Sequence, residues 1–178
     1  MEKTIKIPEG IECSVEGFKV RVKGKLGELE RDLFNKGIAN IIKIEKSGEE
    51  IKISSNLNNK KGKALLGTII ARISNLFRGV SQGYTYKLKI VYTHFPISVK
   101  QEGDSIILSN FLGQKGNKKM KIPAGVKAEI KKDEIVVSGI DKELVGQTAA
   151  NIEKLTKVSK LDRRRFQDGI FIFEKPKN

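Results

Sequence analysis

Ile42-Lys43-Ile44-Glu45 and Glu50-Ile51-Lys52-Ile53-Ser54, on either side of Ser47-Gly48-Glu49, carry the reading on which the fold turns. Apolar and polar residues alternate along both arms, the period-two pattern of a half-buried hairpin. The pattern returns later in the chain. Val126-Lys127-Ala128-Glu129 and Glu134-Ile135-Val136-Val137-Ser138 match it without a gap at an offset of 84, with Lys43/Lys127, Glu45/Glu129, Glu50/Glu134, Ile51/Ile135 and Ser54/Ser138 identical. A helical ladder follows each copy. Leu65, Leu66, Gly67, Ala71, Ile73 and Leu76 align with Leu144, Val145, Gly146, Ala150, Ile152 and Leu155 at an offset of 79. Upstream, Val20–Gly27 resembles Ile106–Gly113 at an offset of 86. Three matches in one order point to a duplicated unit.

Each unit reads as strands followed by one helix. Thr4-Ile5-Lys6-Ile7 alternates and stops at Pro8. Phe18, Val20 and Val22 alternate with Lys19, Arg21 and Lys23, a strand with a basic outer face. The ladder Leu65/Leu66, Ile69/Ile70, Ile73 and Leu76/Phe77 predicts a helix from about Lys60 to Phe77, ended by Gly79. The second copy opens on Tyr84, Tyr86, Leu88, Ile90 and Tyr92 alternating with Thr85, Lys87, Lys89 and Val91. Gly169-Ile170-Phe171-Ile172-Phe173-Glu174 reads as a closing strand. The expected fold class is α+β: two duplicated domains, residues 1–82 and 83–178, each an antiparallel sheet packed against one main helix.

The 178 residues hold 35 Lys and Arg against 21 Asp and Glu, a net charge of +14 spread over both halves. Such an excess repels itself unless a polyanion neutralises it. Cys13 is the sole cysteine, so no intramolecular disulfide and no cysteine-based metal site form within the chain. The N-terminus starts no apolar signal region, and Leu65–Ala71 is too short to span a bilayer.

Catalysis finds little to work with. His94 is the only histidine, so no triad with a second histidine and no histidine metal cluster exist. It sits beside Phe95-Pro96 at a strand end and reads as structural. Glu49-Glu50 and Asp133-Glu134 fall in expected turns and read as solvated turn charges. No phosphate loop or dinucleotide fingerprint is present. The expectation is no enzyme, no cofactor, no catalytic residue and no metal. Gly24-Lys25-Leu26-Gly27 and Gly113-Gln114-Lys115-Gly116 are G-x-x-G segments, but each follows a strand, whereas the KH clamp joins two helices. They read as turns.

Binding is better supplied. Four basic clusters stand out: Lys60/Lys61/Lys63, Arg72/Arg78, Lys115/Lys118/Lys119/Lys121, and Lys154 to Arg165. The last follows on an amphipathic helix with Leu144, Val145, Thr148, Ala149, Ile152 and Leu155 at helical spacing. On a continuing helix Lys154, Lys157 and Lys160 would share one side, and Arg163, Arg164, Arg165 and Phe166 follow. Rings are few and most lie on apolar strand faces, which favours a shaped RNA read through phosphate and groove over a stacked single strand. Phe166 is the exception, as a stacking ring or as an anchor for the tail.

With these residues in view the chain resembles the archaeal and eukaryotic type of the large-subunit ribosomal protein L6 family. The resemblance spans nearly the whole chain. It rests on the duplication, on Asn75-Leu76-Phe77-Arg78-Gly79-Val80 before Gly83-Tyr84, and on Asp162-Arg163-Arg164-Arg165-Phe166-Gln167-Asp168-Gly169-Ile170. The bacterial Tyr-Lys-Gly-Lys-Gly ending is absent. The resemblance implies two similar α+β domains, a structural role in translation, and a cytoplasmic place in the ribosome. It also implies binding to large-subunit rRNA near the stalk base and the factor-binding region, beside neighbouring ribosomal proteins. It gives the main rRNA contacts to the second domain and its tail, here Lys154, Lys157, Lys160 and Arg163 to Arg165, then the Gly113–Lys121 loop. No membrane and no small-molecule substrate are expected. The rival reading is a free polyanion- or nucleic-acid-binding scaffold outside the ribosome.

Overall fold

The structure is a computed structural model that describes residues 1–34, 40–159, 161–162 and 164–176. The chain divides into two compact units, Met1–Gly83 and Tyr84–Asn178.

The first unit contains β1 (Glu2–Lys6), β2 (Glu12–Glu16), β3 (Lys19–Gly24), β4 (Gly27–Asp32), β5 (Ile42–Ser47), β6 (Glu50–Ser55) and α1 (Lys60–Gln82). The strands form two antiparallel sheets, ordered β1-β6-β5 and β2-β3-β4, and α1 lies against both. Its apolar ladder buries Leu66, Ile69, Ile73 and Leu76, while Val20, Val22, Ile51 and Ile53 are fully buried on the sheets. Each such side chain contributes about 1.5–3 kcal/mol on leaving water.

The second unit repeats the plan with β7 (Tyr84–Val91), β8 (Ser98–Glu102), β9 (Ser105–Ser109), β10 (Lys118–Lys121), β11 (Val126–Ile130), β12 (Glu134–Gly139) and α2 (Lys142–Leu155). The repeat extends to strand register. Ile44 faces Ile53, and 84 residues on Ala128 faces Val137. Val20 faces Val15, and 86 residues on Ile106 faces Gln101. The second unit adds β13 (Gly169–Glu174), which pairs with β7 and completes the order β11-β12-β7-β13. Its core gathers Leu88, Ile106, Ile135, Val137, Val145 and Ile152, all fully buried.

The α+β class with one main helix per unit holds, and three details differ from the sequence expectation. The antiparallel strands of each unit fall into two sheets, because β2, β4, β8 and β10 pair where no strand was expected. Helix α1 does not stop at Gly79, which is buried within it; it runs on to Gln82. The chain leaves the helix at Gly83, with φ 73, whose N–H donates to the carbonyls of Arg78 at 3.2 Å and Gly79 at 3.0 Å. A β-carbon disfavours that backbone, so glycine suits the position.

The third difference is electrostatic. The outer face of β3 is not a bare basic surface. In register, Lys23 lies between Glu12 and Glu28, Arg21 between Ser14 and Glu30, and Lys19 between Glu16 and Asp32. Arg21 donates to Glu30 at 2.7 Å and lies 3.3 Å from Glu28. The hydrogen bond from Arg21 holds the Glu30 carboxyl below its usual range. This face neutralises itself and offers little to phosphate. The first G-x-x-G is the β3–β4 turn, packed on α1: Leu26 N–H donates to the Val80 carbonyl at 3.0 Å, and a β-carbon on Gly24 would sit 2.7 Å from the Val80 side chain.

Candidate nucleic-acid interface

The candidate site is assembled at the C-terminal end of α2, in the second unit. Asp141 starts that helix by accepting from Glu143 N–H at 2.9 Å, an N-cap. Val145, Thr148, Ala149 and Ile152 point inward, which leaves Lys154 exposed in the last turn. There a cation complements the helix dipole.

The helix ends sooner than the lysine spacing suggested. Thr156 is its C-cap, so Lys154 and Lys157 do not share a continuing helical face, although both are exposed. Lys160 and Arg163 lie outside the described residues. The Thr156 hydroxyl donates to the Glu153 carbonyl at 3.1 Å and accepts from Ile170 N–H at 2.9 Å. Glu153 accepts from Ile172 N–H at 3.4 Å. Two free edge groups of β13 are thus closed by the helix end, which ties tail to helix.

Asp162, the one acid of the basic run, shapes the backbone. Its carboxylate accepts from Arg164 N–H at 2.9 Å, and its carbonyl from Arg165 N–H at 3.1 Å and Phe166 N–H at 2.9 Å. This turn holds Arg164 and Arg165 exposed and draws Phe166 inward to stack on His94, with ring centroids 4.9 Å apart and planes at 29°. The stack ties Phe166, and with it the tail, to His94 just beyond the end of β7.

Behind the stack lies Asp168, fully buried. It accepts from the Thr93 hydroxyl at 2.6 Å, Thr93 N–H at 2.8 Å and His94 N–H at 3.3 Å, and lies 3.4 Å from His94 Nδ1. Burial pushes this carboxyl up, but the hydrogen bonds from Thr93 and His94 hold it below its ordinary value. The sequence reading missed Asp168 and Thr93, and nothing local marks them, since the bond joins residues 75 apart.

Lys154, Lys157 and Phe166 line one cleft of about 600 Å³, with Val91, Val158 and Phe171 among its apolar walls. Phe171 is 44% exposed, Phe173 52% and Phe95 48%, so the rings sit more openly than strand alternation suggested.

The other cations divide. Lys115 is exposed in the β9–β10 loop, and Lys119 and Lys121 are exposed on the outer side of β10. Lys118 faces inward: its ammonium donates to the Leu155 carbonyl at 2.8 Å and lies 4.5 Å from the Phe111 ring centroid. It caps the C-terminal end of α2. Replacing it with Met is expected to destabilise the second unit by about 1–2 kcal/mol in urea unfolding. The slope of log K for RNA against log salt should stay unchanged. Lys60, Lys61 and Lys63 are exposed around the first turn of α1, in the first unit.

Among the described residues no group of three or more His, Cys, Asp or Glu is placed to hold a metal ion, and no helix is long and apolar enough to cross a membrane. The arrangement offers exposed cations around an apolar cleft.

Comparison with known proteins places the chain in a family. The family model described as ribosomal protein L6 matches residues 95–169. The large ribosomal subunit protein uL6 of Aeropyrum pernix is 46% identical over 96% of this chain and 92% of its own length. The uL6 protein of Ignicoccus hospitalis is 44% identical over 95% of this chain and 91% of its own. That of Methanosarcina mazei is 44% identical over 97% and 96%.

Proposed function

This chain belongs to the ribosomal protein L6 family, and on that premise we propose that it is a non-catalytic structural constituent of the large ribosomal subunit that binds large-subunit rRNA. The observation that carries the reading is the set Lys154, Lys157, Arg164 and Arg165. All four are exposed around the end of α2, and none has an ion-pair partner among the described residues. They are the principal phosphate contacts. Lys115, Lys119 and Lys121 form a second group in the same unit, and Lys60, Lys61 and Lys63 a third in the first unit. Lys160 and Arg163 join the first group by sequence. Residues 1–82 and 83–178 act as two domains of one cytoplasmic ribosomal protein, placed near the stalk base and factor-binding region beside neighbouring ribosomal proteins. No cofactor or small-molecule substrate is called for.

The test is a titration of the full chain against large-subunit rRNA and mixed duplex DNA of similar length, at low and raised salt. If 6–10 phosphates are met, affinity falls by roughly 10³–10⁵ between about 50 and 200 mM salt. The expected result is rRNA binding that persists where DNA binding is lost. Equal affinities that fall together would leave only charge being read and would favour the free scaffold.

A further inference from the structure

We propose that the cleft at the end of α2 takes one unpaired base of the bound RNA, stacked on Phe166, with Lys154 and Lys157 on the flanking phosphates. The inference rests on the rRNA reading above and adds to it a mode of recognition. Paired RNA presents backbone and groove edges, which suit exposed cations but do not fill an apolar cleft. This cleft is both. Phe166, Phe171, Val91 and Val158 make its apolar wall, and Lys154 and Lys157 stand on it. Its volume of about 600 Å³ leaves ample room for a nucleobase. A base is a flat apolar body that carries a phosphate on either side, so apolar wall and basic rim are met by one ligand.

The ring offered is also held in advance. Phe166 is stacked on His94 at 4.9 Å, and His94 is held through its N–H by the buried carboxylate of Asp168 at 3.3 Å. Phe166 both stacks on His94 and lines the cleft. A base entering there extends an existing stack and finds the ring already ordered, so little conformational entropy is lost.

Two measurements on the full chain test this. In the first, Phe166→Leu is titrated against large-subunit rRNA across a salt series. The expected result is roughly 5- to 100-fold weaker binding with an unchanged salt slope, since stacking releases no counterion. Lys154→Ala by contrast should lower the slope by about one. In the second, the wild-type complex is irradiated with ultraviolet light and the cross-linked peptides are mapped by mass spectrometry. A nucleotide joined to Phe166 is expected, and this readout needs no variant to fold. Wild-type rRNA binding with no base cross-linked in the cleft would overturn the inference, whatever the Leu variant does. A wild-type chain that prefers rRNA no more than duplex DNA would instead overturn the rRNA reading beneath it.

Discussion

A chain with Lys154, Lys157, Arg164 and Arg165 all replaced by Ala is expected to bind large-subunit rRNA roughly 10³-fold more weakly at about 0.15 M salt. The magnitude follows from counterion release. Each phosphate neutralised on a nucleic-acid helix frees close to one condensed cation, worth about 1 kcal/mol at this salt, and about 1.4 kcal/mol is a factor of ten. Removing the four cations together gives the factor stated, and the slope of log K against log salt should fall by about three to four. The fold should survive, because all four side chains are exposed and only Lys154 complements a helix terminus, worth a few tenths to about 1 kcal/mol. Far-ultraviolet circular dichroism and the urea midpoint would establish that. A native variant whose affinity and slope match the wild type would remove these residues from the interface.

The duplicated architecture was legible because it is written twice. The hairpin Ile42–Ser47 and Glu50–Ser55 recurs with apolar residues at the same alternating positions, and two copies in one order outweigh local ambiguity. β4 and β10 left no such mark. Gly-Glu-Leu-Glu-Arg-Asp and Lys-Lys-Met-Lys are mostly polar, and each is a strand because β3 or β9 supplies its hydrogen-bond partners. Edge pairing is a property of the assembled sheet, so periodicity within the segment does not report it. The basic clusters were visible as composition, but composition does not say what a cation touches. Lys118 turned out to cap α2, and Arg21 to pair with Glu30 and Glu28 across the sheet. What marked Lys154, Lys157, Arg164 and Arg165 off from these was exposure without an ion-pair partner among the described residues, which only the fold reveals. The same holds for the α2 terminus: three-residue lysine spacing suggested a longer helix, but Thr156 turns the chain there to meet β13.

Replacing Asp168 with Ala is expected to destabilise the second unit by about 1–3 kcal/mol at neutral pH. The carboxylate is fully buried and is the acceptor for Thr93 N–H, the Thr93 hydroxyl and His94 N–H. Removing it leaves these part-buried donors without that partner, and water reaches Thr93 and His94 to replace some of it, so the cost is about 1–3 kcal/mol in all. Urea unfolding of the full chain measures the loss. Asp168→Asn keeps the shape and one acceptor oxygen and should fall between. The pH dependence separates charge from shape. The hydrogen bonds from Thr93 and His94 outweigh burial and hold the folded pKa below its ordinary value. An unfolded Asp titrates near about 3.9, so the charge-dependent stabilisation is complete above that pH and is lost as pH falls through the lower folded value. The gap between wild type and Asp168→Asn should therefore narrow below about pH 4, and a gap constant down to acid pH would mean that shape alone matters. Asp168 itself reaches no phosphate. Its loss should weaken rRNA binding only by loosening the His94–Phe166 stack, so affinity would drop while the salt slope stays, the reverse of the pattern for the four cations.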